Sequence, residues 1–120
     1  MSIDELLKPY NPEIIALVHA VRALILEHFP GALGQVDLPS KLIAYGTSSK
    51  YADTVFTLMP HAGWVNLGIT RALELPDPHG LLQGTGKLHR HVKLGQLADL
   101  KNPALLELIR AAVKRKTGSV

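Results

Sequence analysis

The chain has 120 residues, of which 47% are hydrophobic and 19% are charged, and its formal net charge is +3 at pH 7. This composition fits one globular domain with its own core, and the absence of cysteine excludes disulfides, thiolate metal sites and a cysteine nucleophile. No apolar run reaches the roughly 18 residues of a membrane span, and the start MSIDELLKPY lacks the order of a signal peptide, so we expect a cytoplasmic protein without membrane contact.

The first predicted elements are helical. A short helical turn over Asp4–Lys8 precedes a longer helix over residues 12–29. Asn11 caps the long helix, Pro12 suits its first position, and Pro30 follows its end. Its apolar residues recur at helical spacing and form one stripe that we expect to face the core: Ile14, Leu17, Val18, Val21, Leu24, Ile25 and Phe29.

Three short runs in the middle of the chain predict β-strands, namely Leu42–Tyr45, Thr54–Met59 and Trp64–Thr70. The last two are separated by a short segment containing Pro60 and Gly63, which is typical of an antiparallel hairpin. In the third run, alternate residues share a face, and we expect the apolar set to face the core: Val65, Leu67 and Ile69.

A fourth strand is predicted over Leu88–Leu94, followed by a helix that starts at Asn102 and Pro103. The basic end of that helix, Lys114 to Lys116, is interpreted as a solvated terminus that complements the helix dipole. Together the elements predict a single α+β domain over residues 1–120, in which an antiparallel sheet is flanked by an N-terminal and a C-terminal helix.

The stretch Pro76–Leu94 is the richest in functional groups, because it combines glycines and prolines with histidines and cations. Backbone amides around Gly84 and Gly86 could line an anion nest, with Lys87 adding charge. The spacing is not that of a P-loop, and the favoured interpretation is a tight turn that leads into the fourth strand. Both interpretations stay open.

Arg90 occupies the strand face otherwise taken by Leu88, Val92 and Leu94, where an unpaired charge is costly. We therefore expect Arg90 to be largely buried and paired with a carboxylate. Asp77 is the first choice of partner and Glu74 the second. Such a pair would either staple the loop to the sheet or form the floor of an anion pocket.

Two further side-chain groups are candidates. Trp64 could form a pocket wall, since the small Gly68 on its strand face leaves room for a groove. His89 and His91 project from one face of a strand and could bind a divalent metal together with Asp77. The alternative for the histidines is a pair of solvent-facing imidazoles, which the positive charge nearby favours.

Two function classes find little support in the residues. No recognisable nucleophile or acid–base set is present, so a non-enzymatic role is favoured. Aromatic residues do not alternate with cations along the chain, so nucleic-acid binding is not favoured.

Several motifs resemble the YdhG-like family, also known as domain of unknown function 1801. They are VNLG at 65–68, LPDP at 75–78, GTGK at 84–87 and RHVKL at 90–94. The resemblance implies a compact, frataxin-like α+β domain and, from one described member, an intracellular iron chaperone. The positive net charge and the ten carboxylate side chains depart from the acidic surface that frataxin-like iron handling uses, so no iron site is carried over.

The sequence thus predicts a small cytoplasmic binding domain that takes up a small anionic ligand or a protein partner through the 76–93 loop. Iron or metal handling is the alternative, and no other cofactor is assigned. The predicted ligand-binding residues are Asp77, Gly84, Gly86, Lys87, Arg90, His91 and Trp64. The candidate metal ligands are His89, His91 and Asp77.

Overall fold

The structure is a computed structural model that describes residues 2–118. Its helices and strands are α1 (Ile3–Leu7), α2 (Pro12–His28), β1 (Leu33–Asp37), β2 (Leu42–Gly46), β3 (Thr54–Pro60), β4 (Val65–Thr70), β5 (His89–Leu94) and α3 (Pro103–Thr117). Short 3₁₀ turns cover Tyr51–Asp53, Ala72–Glu74 and Leu97–Lys101. The predicted α+β fold, an antiparallel sheet with an N-terminal and a C-terminal helix, is confirmed.

The strands form one antiparallel sheet in the order β1-β2-β3-β4-β5, so each strand pairs with its neighbour in the chain. Antiparallel neighbours need only short connections and no crossover. The outer edge of β5 is partly covered, because the backbones of Gln83 and His91 exchange hydrogen bonds of 2.7 and 3.1 Å. The loop that precedes β5 is therefore held beside the sheet.

Both long helices lie on one face of the sheet. The α2 helix contacts β3, β4 and α3, and α3 also contacts β3. On that face Val65, Leu67 and Ile69 are fully buried, as the alternation in β4 predicts. The ring of Phe56 meets that of Phe29 edge-on, with 6.3 Å between the centroids. The side chains on the opposite face of the sheet are half-buried or exposed.

The predicted helix starts are confirmed by their caps. The side chain of Asn11 accepts a hydrogen bond from the Ile14 amide at 2.9 Å, and Asn102 accepts one from the Ala104 amide at 3.0 Å. In each helix a proline follows the cap, at the position where its missing N–H costs nothing. Within residues 2–118, no helix has both the length and the apolar character needed to cross a membrane.

The sequence does not predict β1. Its residues LGQVD are mostly exposed and include types that strands disfavour. Gly34 fits there because the ring of Tyr45 packs against it; a Cβ atom at Gly34 would lie 2.8 Å from Tyr45 Cε1. The edge strand thus forms by pairing with β2, which the sequence pattern of β1 alone does not reveal.

Candidate functional site

A cavity of about 210 Å³ opens where β4 ends and β5 begins. The turn before β3 and the last turn of α3 complete its wall. The lining residues are Tyr51, Ala52, Thr54, Thr70, Arg71, Leu88, His89, Arg115 and Lys116. We refer to it as the basic cavity, because three of these side chains are permanent cations.

Arg115 is held by two backbone carbonyls. Its Nη1 donates to the backbone carbonyl of Arg71 at 2.6 Å, and its Nη2 donates to that of Thr70 at 2.7 Å. Burial lowers the pKa of Arg115 below its ordinary value, the nearby charge of Glu74 opposes that shift and that of Arg71 adds to it. The guanidinium remains charged at neutral pH. Among residues 2–118 it forms no ion pair of its own, and Glu74, which favours its charged form from a distance, is paired with Arg71.

The other two cations each have an acidic partner. Lys116 Nζ lies 2.8 Å from Asp53 Oδ1, and Arg71 Nε lies 2.8 Å from Glu74 Oε2. Neither carboxylate belongs to the lining of the basic cavity. Three cations against two carboxylates leave this group of side chains with a net charge of +1 when His89 is neutral.

One wall of the basic cavity is apolar. Tyr51 is 77% exposed and Leu88 is 62% exposed, although both are large apolar side chains. The hydroxyl of Tyr51 is hydrogen-bonded to Nε2 of His89 at 2.7 Å, and the two rings meet edge-on. This bond ties the turn before β3 to the first residue of β5, which follows Leu88 in the chain.

Two backbone features position the basic cavity. Arg71 adopts a left-handed conformation (φ 53°, ψ 40°), which residues other than glycine rarely occupy, and its amide donates to the carbonyl of Leu88. At the irregularity between Tyr45 and Gly46, a Cβ atom on Gly46 would lie only 2.3 Å from the backbone oxygen of Asp53. Glycine at this point lets the turn that carries Asp53 approach β2.

Asp53 connects this turn to α3. It accepts hydrogen bonds from Lys116 Nζ at 2.8 Å and from Ser48 Oγ at 2.6 Å. These bonds, that of Lys116 first, lower the pKa of Asp53 below its ordinary 3.8. The carboxylate therefore stays ionised, and its pair with Lys116 stays formed, over the whole neutral range.

We expect the ion pair between Asp53 and Lys116 to make the stability of the fold fall at low pH. Because the pKa of Asp53 is lower in the folded state, the contribution is present above about pH 4 and is lost as pH falls through the folded-state pKa. Lys116→Met should thus lower the melting temperature more at pH 7 than at pH 3. Lys114→Met, at an exposed lysine on the same turn of α3, is the control and should show no such difference between the two pH values. An equal loss at both pH values would contradict this assignment.

The prediction that Arg90 is largely buried and paired with a carboxylate is wrong. Arg90 is half-buried, its Nε donates to the backbone carbonyl of Gly86 at 3.1 Å, and it forms no ion pair within the described range. The reason is its place on the edge strand β5, from which a long side chain can reach water. Glu74 pairs with Arg71 instead. Leu88, expected in the core beside Arg90, is exposed at the basic cavity.

Asp77 organises the loop and does not contact Arg90. Its Oδ1 accepts from the Leu81 amide at 2.9 Å, and its Oδ2 accepts from the Leu82 amide at 3.0 Å. Aspartate commonly stabilises turns by accepting from backbone amides a few residues ahead. Both oxygens are thus already engaged within the loop.

Replacing Asp77 should destabilise the fold modestly. We expect Asp77→Ala to lower the free energy of unfolding by about 0.5–2 kcal/mol, as for the loss of a helix cap. Asp77→Asn keeps one acceptor oxygen and should cost less. Urea denaturation of both variants measures the difference, and an alanine variant as stable as the parent would refute this role.

The glycines of the GTGK motif allow a backbone conformation and a close backbone approach that other residues would hinder. Gly84 has φ +107°, and a Cβ atom on Gly86 would lie 2.6 Å from the carbonyl oxygen of His89. This geometry agrees with the interpretation of a tight turn leading into β5. Lys87 is exposed and does not line the basic cavity.

Trp64 lies at the opposite end of β4, roughly 20 Å along the strand from the basic cavity. Its ring stacks on His61 with 4.6 Å between centroids, and Lys93 Nζ lies 4.4 Å from the ring centroid. Its Nε1 donates to Asn66 Oδ1 at 2.9 Å. Trp64 therefore belongs to a separate cluster.

The open face of the sheet carries a groove of about 170 Å³ to which Gly68 and His91 contribute. Trp64 is not among its lining residues, contrary to the expected groove between Trp64 and Gly68. The side chain of Thr57 occupies the space next to Gly68, since its Oγ1 would lie 2.2 Å from a Cβ atom at that position. The groove thus runs towards β5 and not towards the tryptophan.

The structure does not bring the three candidate metal ligands together. His89 and His91 share a face of β5, but His89 is bonded to Tyr51 and Asp77 to two loop amides. In the part of the chain that is described, no group of three or more His, Asp or Glu side chains could hold a metal ion.

Sequence reasoning missed Arg115 and Lys116. Basic residues at a helix C-terminus are usually solvated, and the sequence pattern predicts the same for these two. A signal was present, however: the two residues follow the buried Ala112 by three and four positions, so they extend the buried face of α3 by one turn. No comparable local signal marks Arg71 or Tyr51, which only the fold brings to the basic cavity.

Comparison with known proteins identifies no relative: no family model, no curated protein and no solved structure matches this chain. Function is therefore inferred from the geometry of the basic cavity. Two observations about that cavity matter most, the unmatched charge of Arg115 and the exposed apolar wall at Tyr51 and Leu88.

Proposed function

We propose that this protein is a small-molecule binding domain that holds an anionic ligand in the basic cavity. The observation that carries the proposal is Arg115, a half-buried guanidinium that is held by two carbonyls and has no carboxylate partner within residues 2–118. Those carbonyls occupy two of its five N–H donors, so others remain for a ligand. Arginine is the side chain best suited to grip a carboxylate or phosphate.

The proposed site lies mostly outside the 76–93 loop, and none of the seven predicted ligand-binding residues lines the basic cavity. Leu88 and His89, where the 76–93 segment enters β5, form part of the wall of the basic cavity. The glycine turn at 84–87 is not part of the lining. The 76–93 segment thus contributes only the two residues where β5 begins, and the cations come from α3 and from the residue that follows β4.

We further propose membership of the YdhG-like family on the sequence motifs alone. The binding proposal does not depend on that membership, because it is based on side-chain geometry. Metal handling is not proposed, since Asp77 is committed to loop amides and Nε2 of His89 to Tyr51.

The test is an NMR titration of the ¹⁵N-labelled protein with benzoate, acetate and inorganic phosphate, with neutral benzamide as the control. At least one anion should cause saturable shifts at the amides of Thr70, Arg71, His89 and Arg115, and Trp64 should not respond. Shifts confined to residues 84–87 would move the site to the glycine turn. If no anion causes a saturable shift, the proposal fails.

A further inference from the structure

We infer that the ligand of the basic cavity is a singly charged amphiphile, namely a small aromatic or branched aliphatic carboxylate. This inference rests on the proposed function and specifies its ligand class. Three features lead to it: the charge balance of the basic cavity, the polar groups that are already paired there, and its size and apolar wall.

The charge balance favours one negative charge on the ligand. Glu74 already matches Arg71, and Asp53 already matches Lys116, each at 2.8 Å. Only the charge of Arg115 is left for a ligand, and one carboxylate neutralises it. A dianion would bring a second charge without a counter-ion, close to Asp53 and Glu74, which repel it.

The polar groups around the basic cavity are largely paired with one another. The hydroxyl of Thr70 donates to the carbonyl of Thr54 at 2.8 Å, and the hydroxyl of Tyr51 is bonded to His89 at 2.7 Å. Lys116 also lies 3.3 Å from the carbonyl of Ala52. A ligand rich in hydroxyl groups would therefore find few free partners and would lose its own hydration.

The apolar wall and the volume define the rest of the ligand. Tyr51 and Leu88 expose large apolar surfaces that an apolar body would remove from water. The volume of about 210 Å³ is below the roughly 300–1,000 Å³ of sites for drug-sized ligands. A single ring or a branched chain fits this description, and a nucleotide does not.

The decisive measurement compares four probes at pH 8, where ordinary histidines are neutral and phosphate monoesters are doubly charged. Benzoate should bind at least tenfold more tightly than phenyl phosphate and than acetate, and benzamide should not saturate. Tighter binding of phenyl phosphate or equal binding of acetate would overturn the ligand class but leave the proposed function standing. If none of the anions binds, the proposed function itself fails.

Two exposed substitutions test the features separately. Leu88→Gln should weaken benzoate binding at least fivefold, with little effect on acetate, whereas Leu97→Gln, at a similarly exposed leucine outside the basic cavity, should change neither. Glu74→Gln leaves Arg71 without its acidic partner and should shift the preference at least threefold from benzoate towards phenyl phosphate. An unchanged benzoate affinity in Leu88→Gln or an unchanged preference in Glu74→Gln would refute the corresponding feature.

Discussion

Arg115→Met is expected to weaken anion binding at least tenfold and to lower the free energy of unfolding by about 1–3 kcal/mol. The substitution removes two charged hydrogen bonds, to the carbonyls of Thr70 and Arg71, and hydrogen bonds of charged groups are each worth more than neutral ones. The binding loss follows separately, because the remaining cations are both paired with carboxylates. Titration calorimetry with benzoate and urea denaturation measure the two effects.

The control is Lys114→Met, which removes the same formal charge from the same turn of α3. Lys114 is exposed and lies outside the basic cavity, so both binding and stability should stay near those of the parent. Equal losses in the two variants would mean that only the net charge matters. Loss of stability with full retention of binding would reduce Arg115 to a structural link between α3 and the end of β4.

The helices could be predicted from the sequence because their signals are local. Asn11 and Asn102 cap the two long helices, each is followed by proline, and apolar residues continue at helical spacing. Strands β2 to β5 were found from alternation and turn residues, to within a residue or two at their ends. β1 was missed because an exposed edge strand with Gly34 and Gln35 has neither signal.

The site was harder to predict, because its residues lie far apart in the chain. The fold brings four of them, Tyr51, Arg71, Leu88 and Arg115, to one cavity between the sheet and the end of α3. The concentration of functional groups in 76–94 favours a paired Arg90, yet an edge-strand arginine can be solvated without an ion pair. The helical spacing of the apolar residues in α3 does show that Arg115 lies on the buried face of that helix.

The contacts that form the basic cavity also stabilise the fold. Arg115 and Lys116 link the end of α3 to the end of β4 and to the turn before β3. A substitution that shifts that turn should therefore change both stability and ligand binding. Gly46 is the position where this connection can be tested from outside the cavity, since it is not among the lining residues.

Gly46→Ala is expected to lower the free energy of unfolding by about 1–3 kcal/mol and to weaken ligand binding. The new Cβ atom would lie 2.3 Å from the backbone oxygen of Asp53, and a backbone atom cannot rotate aside as the end of a side chain can. The turn must move away from β2, which pulls Asp53 from Lys116 and shifts Tyr51 at the apolar wall. Urea denaturation and benzoate titration measure the two losses.

Gly63→Ala is the matched control, because no heavy atom lies within 4 Å of the Cβ position at Gly63. Its stability should stay the same or rise slightly, since alanine restricts the unfolded chain more than glycine does. Amide shifts in Gly46→Ala should be concentrated at residues 51–54 and 116, where the turn meets α3. A Gly46→Ala variant that keeps the parent's stability would show that β2 and the turn separate without cost. A Gly46→Ala variant that is less stable but binds benzoate normally would show that the position of Asp53 does not control the basic cavity.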